Sequence, residues 1–218
     1  MPDGGGAPGV ERPGSVILAR HGEPALSRKV RLNAAGYREW WARYEEGGLK
    51  DGQTAPGPLL ETALNAGAII ASTRPRSVQT ARAVAGDRSF VPDALFIEAP
   101  LPPPPLPSWL KLSPRLWGFV SRVSWWFFDH HQDQESRAQA QARADEAARR
   151  LIEHAQAGGD VLVLAHGFFN TMVGRSLRRQ GWRLTSDEGW RYWSARRYEA
   201  VRGGARRTPR LPHGASVG

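Results

Sequence analysis

Two apolar runs in this chain end in the same way. Val16-Ile17-Leu18-Ala19 runs into Arg20-His21-Gly22, and Val161-Leu162-Val163-Leu164-Ala165 runs into His166-Gly167. Neither run alternates polar with apolar residues. Both therefore suit strands buried on two faces, as in the middle of a parallel sheet covered by helices. The carboxyl ends of such strands open into the crevice where α/β sheets bind ligands. Two strands that each deliver a histidine to one sheet edge can bring the pair into one pocket.

A third run, Ala66 to Ala71, leads into Ser72-Thr73-Arg74-Pro75-Arg76. Histidines and arginines gathered at three strand ends make a site for a tetrahedral oxyanion. Arginine presents a planar fork of donors that matches phosphate oxygens and stays charged at any working pH. Gly22 lets the backbone turn closely around whatever His21 holds. Arg28 follows in a polar loop near the pocket mouth, and Arg74 either faces the pocket or pairs with an acid.

At these residues the chain resembles the histidine phosphatase superfamily, which includes the cofactor-dependent phosphoglycerate mutases. The resemblance rests on Leu18 to Glu23, Arg31-Leu32-Asn33-Ala34-Ala35-Gly36 and Ser72 to Arg76 with Gln79-Thr80-Ala81. Glu135-Ser136 and Ala165-His166-Gly167 complete it. In order, these motifs span about Ser15 to Gly174. The resemblance implies that His21 is a nucleophile attacking phosphorus, and that Arg20, Arg76 and His166 hold the phosphate. Glu98, after Phe96-Ile97, matches the family's acid, with Asp129 and Asp133 in reserve because a polyproline run follows it here. Asn170 and Trp117 are further candidate substrate contacts. No metal and no cofactor is expected, since the arginines already supply positive field.

A chain of 218 residues can bury one good core. It has no cysteine, which excludes disulfides and thiolate chemistry. The net charge of +9 raises nucleic-acid binding as a class. No nucleic-acid-binding signature accompanies it, however, and an anionic substrate accounts for part of it. The first residues lack the layout of a signal peptide, and no stretch approaches a membrane span, so a cytoplasmic protein is expected. Residues 1–14 and 202–218 read as flexible tails around a domain over 15–201.

Helices are expected over Asn33–Glu46, Leu59–Asn65, Arg76–Ala85, Ser113–Phe128, Glu135–Ala157 and Phe168–Gln180. Asn33 is a plausible N-cap for the first, whose aromatic stripe Tyr37, Trp40, Trp41 and Tyr44 reads as core packing. Phe90–Ile97 reads as a short strand and Arg191–Val201 as an edge strand. Pro100 to Pro107 should be a stiff extended connector. In the helix after it, Leu116, Val120, Val123 and Phe127 make one apolar face. The tryptophan-rich segment either packs on the sheet, caps the pocket or attaches to a membrane surface; the resemblance, in which this part of the chain commonly forms a cap, favours the cap.

The fold expected is a three-layer α/β sandwich: a mostly parallel sheet with helices on both faces and a small helical cap over about residues 100–134. The function expected is metal-independent hydrolysis of a small-molecule phosphomonoester through phosphohistidine. A phosphomutase and a non-catalytic basic and aromatic binding module are the alternatives.

Overall fold

The computed structural model describes residues 13–201. In chain order the elements are β1 (Val16–Arg20), α1 (Ala34–Glu46), α2 (Gly57–Asn65), β2 (Ala66–Ser72), α3 (Pro75–Ala85) and β3 (Val91–Asp93). Then come α4 (Pro114–Phe128), α5 (Arg137–Gln156), β4 (Asp160–Ala165), α6 (Gly167–Arg179), β5 (Trp182–Asp187) and β6 (Ala195–Ala200). One mixed sheet runs in the order β3-β2-β4-β1-β6-β5. The strands β3, β2, β4 and β1 are parallel, and the hairpin of β5 and β6 adds antiparallel to β1.

The unbroken apolar runs are explained by what covers the two faces. Val16 and Leu18 of β1 join Val161, Val163 and Ala165 of β4 in a core shared with α5 and α6. Ile17, Ala19, Leu162 and Leu164 point the other way, against α2 and α3. Helix α5 meets the sheet through Ala140, Ala144, Ala147, Ala148 and Ala155, all without exposed surface. It begins with a capping box in which Ser136 and Gln139 each bond the other's backbone. Register then positions the site. Arg20 pairs with Ala165 across β1 and β4, so His21 and His166 leave the sheet side by side.

A smaller cluster lies apart from the sheet. Tyr37, Trp40 and Tyr44 of α1 pack with Trp117 of α4. Asn33 caps α1 by accepting from the Gly36 N–H at 2.9 Å. Ahead of the two helices, Leu32 and Leu112 exchange reciprocal backbone hydrogen bonds of 2.9 Å, which ties their starts together.

Several expectations are corrected. The strand expected over Phe90–Ile97 is only β3; a 3-10 turn follows at Ala94–Phe96, held by Asp93 accepting from the Leu95 N–H. Strand β5 was not anticipated, because its side chains after Trp182 are all exposed and leave no alternation to read. It takes the sheet edge, so β6 is interior. On α4 the face of Leu116, Val123 and Phe127 is exposed, and Pro114, Trp117, Gly118, Ser121 and Trp125 are buried instead. The tryptophans win because their indole N–H groups reach carbonyls: Trp117 to Leu32 at 2.6 Å and Trp125 to Glu135 at 3.0 Å.

Pro100 to Pro107 forms neither helix nor strand, and Leu101, Pro102 and Pro103 of that run are buried. The flexible segments expected at 1–14 and 202–218 lie outside the described residues, apart from Pro13 and Gly14. Gly14 is fastened to the core, donating its N–H to the Ala155 carbonyl at 2.9 Å. Among the described residues no helix is long and apolar enough to cross a membrane.

Candidate active site

His21 emerges from β1 buried, 2% exposed. Its Nδ1 lies 2.7 Å from the carbonyl oxygen of Gly22. A carbonyl can only accept, so Nδ1 carries the proton and Nε2 keeps a free lone pair. The Gly22 N–H donates to Thr80 Oγ1 at 3.0 Å, and that hydroxyl donates to the Arg76 carbonyl at 2.7 Å. The turn after β1 is thus tied to the first turns of α3.

His166 is set by a different pair of partners. Its Nε2 lies 2.9 Å from Ser72 Oγ and its Nδ1 3.3 Å from Arg76 Nη2. A guanidinium can only donate, so Nδ1 accepts and Nε2–H donates to Ser72. The two imidazole rings meet edge-on, 5.2 Å between centroids. Burial holds both rings well below the ordinary imidazole range, and the charge of Arg76 adds to the effect on each. Both are neutral at pH 7.

Arg76 is fully buried in the first turn of α3. Its Nη1 donates to the Tyr44 carbonyl and its Nη2 to Glu45 Oε1, each at 2.8 Å, and its Cζ sits 4.4 Å from the centre of the Tyr44 ring. Arg20 lies 4.4 Å over the Tyr192 ring and donates to the Trp190 carbonyl. In both arginines Nε is buried without a hydrogen-bond partner among the described residues. Leaving such a donor unmatched costs about 1–3 kcal/mol. Both guanidiniums line the same cavity and have an N–H left over for an acceptor.

Glu98 lines the same cavity. Its Oε1 accepts the Phe169 N–H at 2.8 Å and its Oε2 the Phe168 N–H at 3.4 Å, which seats the carboxylate over the positive end of α6. The cavity, about 420 Å³, is bounded by His21, His166, Arg20, Arg76 and Glu98 at one end. Tyr37, Trp40, Trp41 and Tyr44 of α1 and Arg115, Gly118 and Arg122 of α4 form its walls. Arg28 lines it too, donating to the Tyr44 hydroxyl at 2.7 Å.

The remaining candidates are placed elsewhere. Arg74 pairs with Glu45 at 2.6 Å and is not among the cavity-lining residues. Gly22 supports His21 through its backbone and packs against the Trp193 ring. Asn170 donates to the Ala19 carbonyl at 3.0 Å, fastening α6 to β1. Trp117 has no exposed surface and backs the wall by stacking on Tyr37, centroids 5.7 Å apart. Asp129 and Asp133 are exposed beyond the end of α4 and do not line the cavity.

Sequence reasoning missed Arg115, Gly118 and Arg122, although their spacing of three and four puts them on one helix face, opposite the apolar stripe. For the α1 aromatics it preferred core packing to ligand contact. They are packed, and their inner edges line the cavity as well.

Among solved structures, the chain is similar to a phosphoserine phosphatase from Entamoeba histolytica in complex with 3-phosphoglyceric acid. The identity is 18%, covering 76% of this chain and 80% of that one, with a TM-score of 0.51. A mutant of that enzyme in complex with phosphoserine gives 16% identity, 76% and 80% coverage and a TM-score of 0.50. A phosphoglycerate mutase from Bacillus anthracis str. Sterne gives 16% identity, 79% and 83% coverage and a TM-score of 0.49. No curated protein matches the chain significantly. A family model matches residues 16–191, and on that match the chain belongs to the histidine phosphatase superfamily, branch 1.

Proposed function

We propose that the protein is a phosphatase that hydrolyses a small-molecule phosphomonoester through a phosphohistidine, without a metal. The observation that carries this reading is the pairing of a neutral His21, its Nε2 lone pair free, with the unmatched Nε donors of Arg20 and Arg76.

In the first step Nε2 of His21 forms a bond to phosphorus as the ester P–O bond breaks. The leaving oxygen takes a proton from Glu98, and the alcohol departs. In the second step Glu98 takes a proton from water, whose oxygen attacks phosphorus and breaks the P–N bond. Inorganic phosphate is released and Glu98 is again protonated. Throughout, Arg20 and Arg76 face the charge on the non-bridging oxygens. The Gly22 carbonyl, accepting from Nδ1–H, stabilises the positive charge the ring acquires while phosphorylated.

Brief incubation with a radiolabelled or chromogenic ester, followed by an alkaline quench, should leave acid-labile, base-stable phosphate on His21. His21→Ala should leave none and abolish turnover, and EDTA should not inhibit. Activity that chelation destroys and a divalent metal restores would overturn the mechanism. A mutase would return the phosphoryl group to an organic acceptor; release of inorganic phosphate in step with alcohol separates the two.

A further inference from the structure

Away from the phosphate end, the cavity holds polar atoms that this reaction does not use. Tyr37 is wholly buried on α1 and lines the cavity, yet its hydroxyl has no hydrogen-bond partner among the described residues. Arg122 lines the same cavity from α4, and its Nε is also buried without a partner. Gly118 joins the two. The point where a side chain would begin there is 3.8 Å from the Tyr37 hydroxyl and 3.9 Å from Arg122 Nη1. The hydroxyl and a guanidinium nitrogen therefore face one stretch of cavity wall, beside the glycine at 118.

Native proteins leave few buried donors unpaired, and these two share a need for an acceptor. The approach to them is aromatic. Trp40, Trp41 and Tyr44 continue the wall from Tyr37 toward Arg76, and Phe168 lies 5.1 Å below the Arg122 guanidinium. Flat faces on a wall favour a flat group beside them. A cavity of about 420 Å³ also exceeds what a phosphate alone would occupy and lies in the range of organic ligands.

We propose that the α1–α4 end of the cavity is a leaving-group subsite for a ring bearing an anionic acceptor, whose charged oxygens are held by the Tyr37 hydroxyl and the Arg122 guanidinium. The acceptor is a carboxylate or a second phosphate. This rests on the phosphatase reading above, in which the ester phosphate lies at His21.

The test compares kcat/KM for phenyl phosphate with those for 3- and 4-carboxyphenyl phosphate and 1,4-phenylene bisphosphate. A charge-assisted contact in a desolvated site predicts a preference for the acidic esters of about tenfold or more, chiefly through KM. The better of the carboxylates and the bisphosphate identifies the acceptor. Tyr37→Phe and Arg122→Gln should each pull that ratio toward one. Tyr37→Phe should also keep or raise Tm, since it removes an unpaired buried hydroxyl. Gly118→Ala, meeting only ordinary contacts, should fold normally and lower the preference, because its methyl stands 3.8 Å from the hydroxyl and 3.9 Å from the guanidinium.

Equal turnover of neutral and acidic esters, unchanged in Tyr37→Phe and Arg122→Gln, would sink the subsite. Calorimetry with phenylphosphonate and 4-carboxyphenylphosphonate needs no turnover. If the acidic phosphonate binds more tightly while no ester phosphorylates His21, the subsite stands and the phosphatase reading fails.

Discussion

Arg76 and His166 define each other's state. Arg76 Nη2 lies 3.3 Å from Nδ1 of the ring, and a donor-only group there forces that nitrogen to present a lone pair. The same guanidinium is among the charges that keep both His166 and His21 unprotonated. One buried arginine thus lines the cavity beside both imidazoles and helps to hold them neutral.

That arrangement makes stability depend on pH. Each ring titrates near 6.5 when unfolded and well below that when folded. The unfolded state therefore binds more protons below about pH 6.5, and stability is full above that value and falls as pH drops. Each ring lowers the unfolding free energy by about 1.4 kcal/mol per pH unit while only the unfolded form is protonated. Urea melts between pH 7.5 and 5 should show the decline, with a smaller slope in His166→Ala. A flat profile would mean that the rings are protonated in the fold.

Glu98→Gln removes a transferable proton while keeping an oxygen for the nearer of its two N–H partners, that of Phe169. Alkyl phosphates should slow by about a hundredfold or more. p-Nitrophenyl phosphate should slow far less, because its leaving group needs little protonation. Equal losses on both would remove Glu98 from the acid role, and neither Asp129 nor Asp133 lines the cavity to take it over.

Much of this site was readable in advance because it lies at strand ends. Continuous apolar runs place β1, β2 and β4 in the sheet centre, and His21, Arg76 and His166 then follow from a few residues of turn. What the sequence conceals is which side of a helix with large apolar residues around most of its circumference turns inward. On α4 the choice was decided by the Leu32 and Glu135 carbonyls that receive the Trp117 and Trp125 indoles, and these lie far along the chain or in a loop. Once those rings are buried, Arg115, Gly118 and Arg122 come to the cavity and Leu116, Phe119 and Phe127 to the surface. Arg74 was undecided for a similar reason. Glu45, which pairs with it, belongs to a helix nearly thirty residues earlier.

Glu45 supports another expectation. One of its oxygens holds Arg76 at 2.8 Å and the other holds Arg74 at 2.6 Å. Glu45→Ala leaves the fully buried Arg76 charge without a counter-charge, and breaking a buried pair costs about 3–5 kcal/mol. Tm should drop accordingly, and KM for esters should rise as Arg76 loses its anchor. Millimolar inorganic phosphate should recover much of the lost Tm by binding the folded form. A variant as stable as the parent would show that the carbonyl of Tyr44 and the His166 ring suffice to hold Arg76.

Gly22→Ala tests whether a group with no side chain controls the nucleophile. A Cβ at this position would run into the Trp193 ring, which is itself held by a 3.0 Å hydrogen bond from its indole N–H to Gln53. Either the ring moves or the backbone of residue 22 does. That backbone carries the carbonyl accepting from His21 Nδ1–H and the N–H donating to Thr80 Oγ1. Displacing the carbonyl frees the imidazole to turn and to exchange tautomers, so Nε2 loses its aim at phosphorus. Misplacement of a reacting group by about 1 Å can cost about a hundredfold in rate. We therefore expect kcat to fall by tens- to a hundredfold while inorganic phosphate still binds, because Arg20 and Arg76 remain. Trp193→Ala combined with Gly22→Ala removes the obstruction and should restore much of the rate. If the double variant is as slow as the single one, the clash is not what disturbs His21, and the residue 22 backbone must fail for another reason.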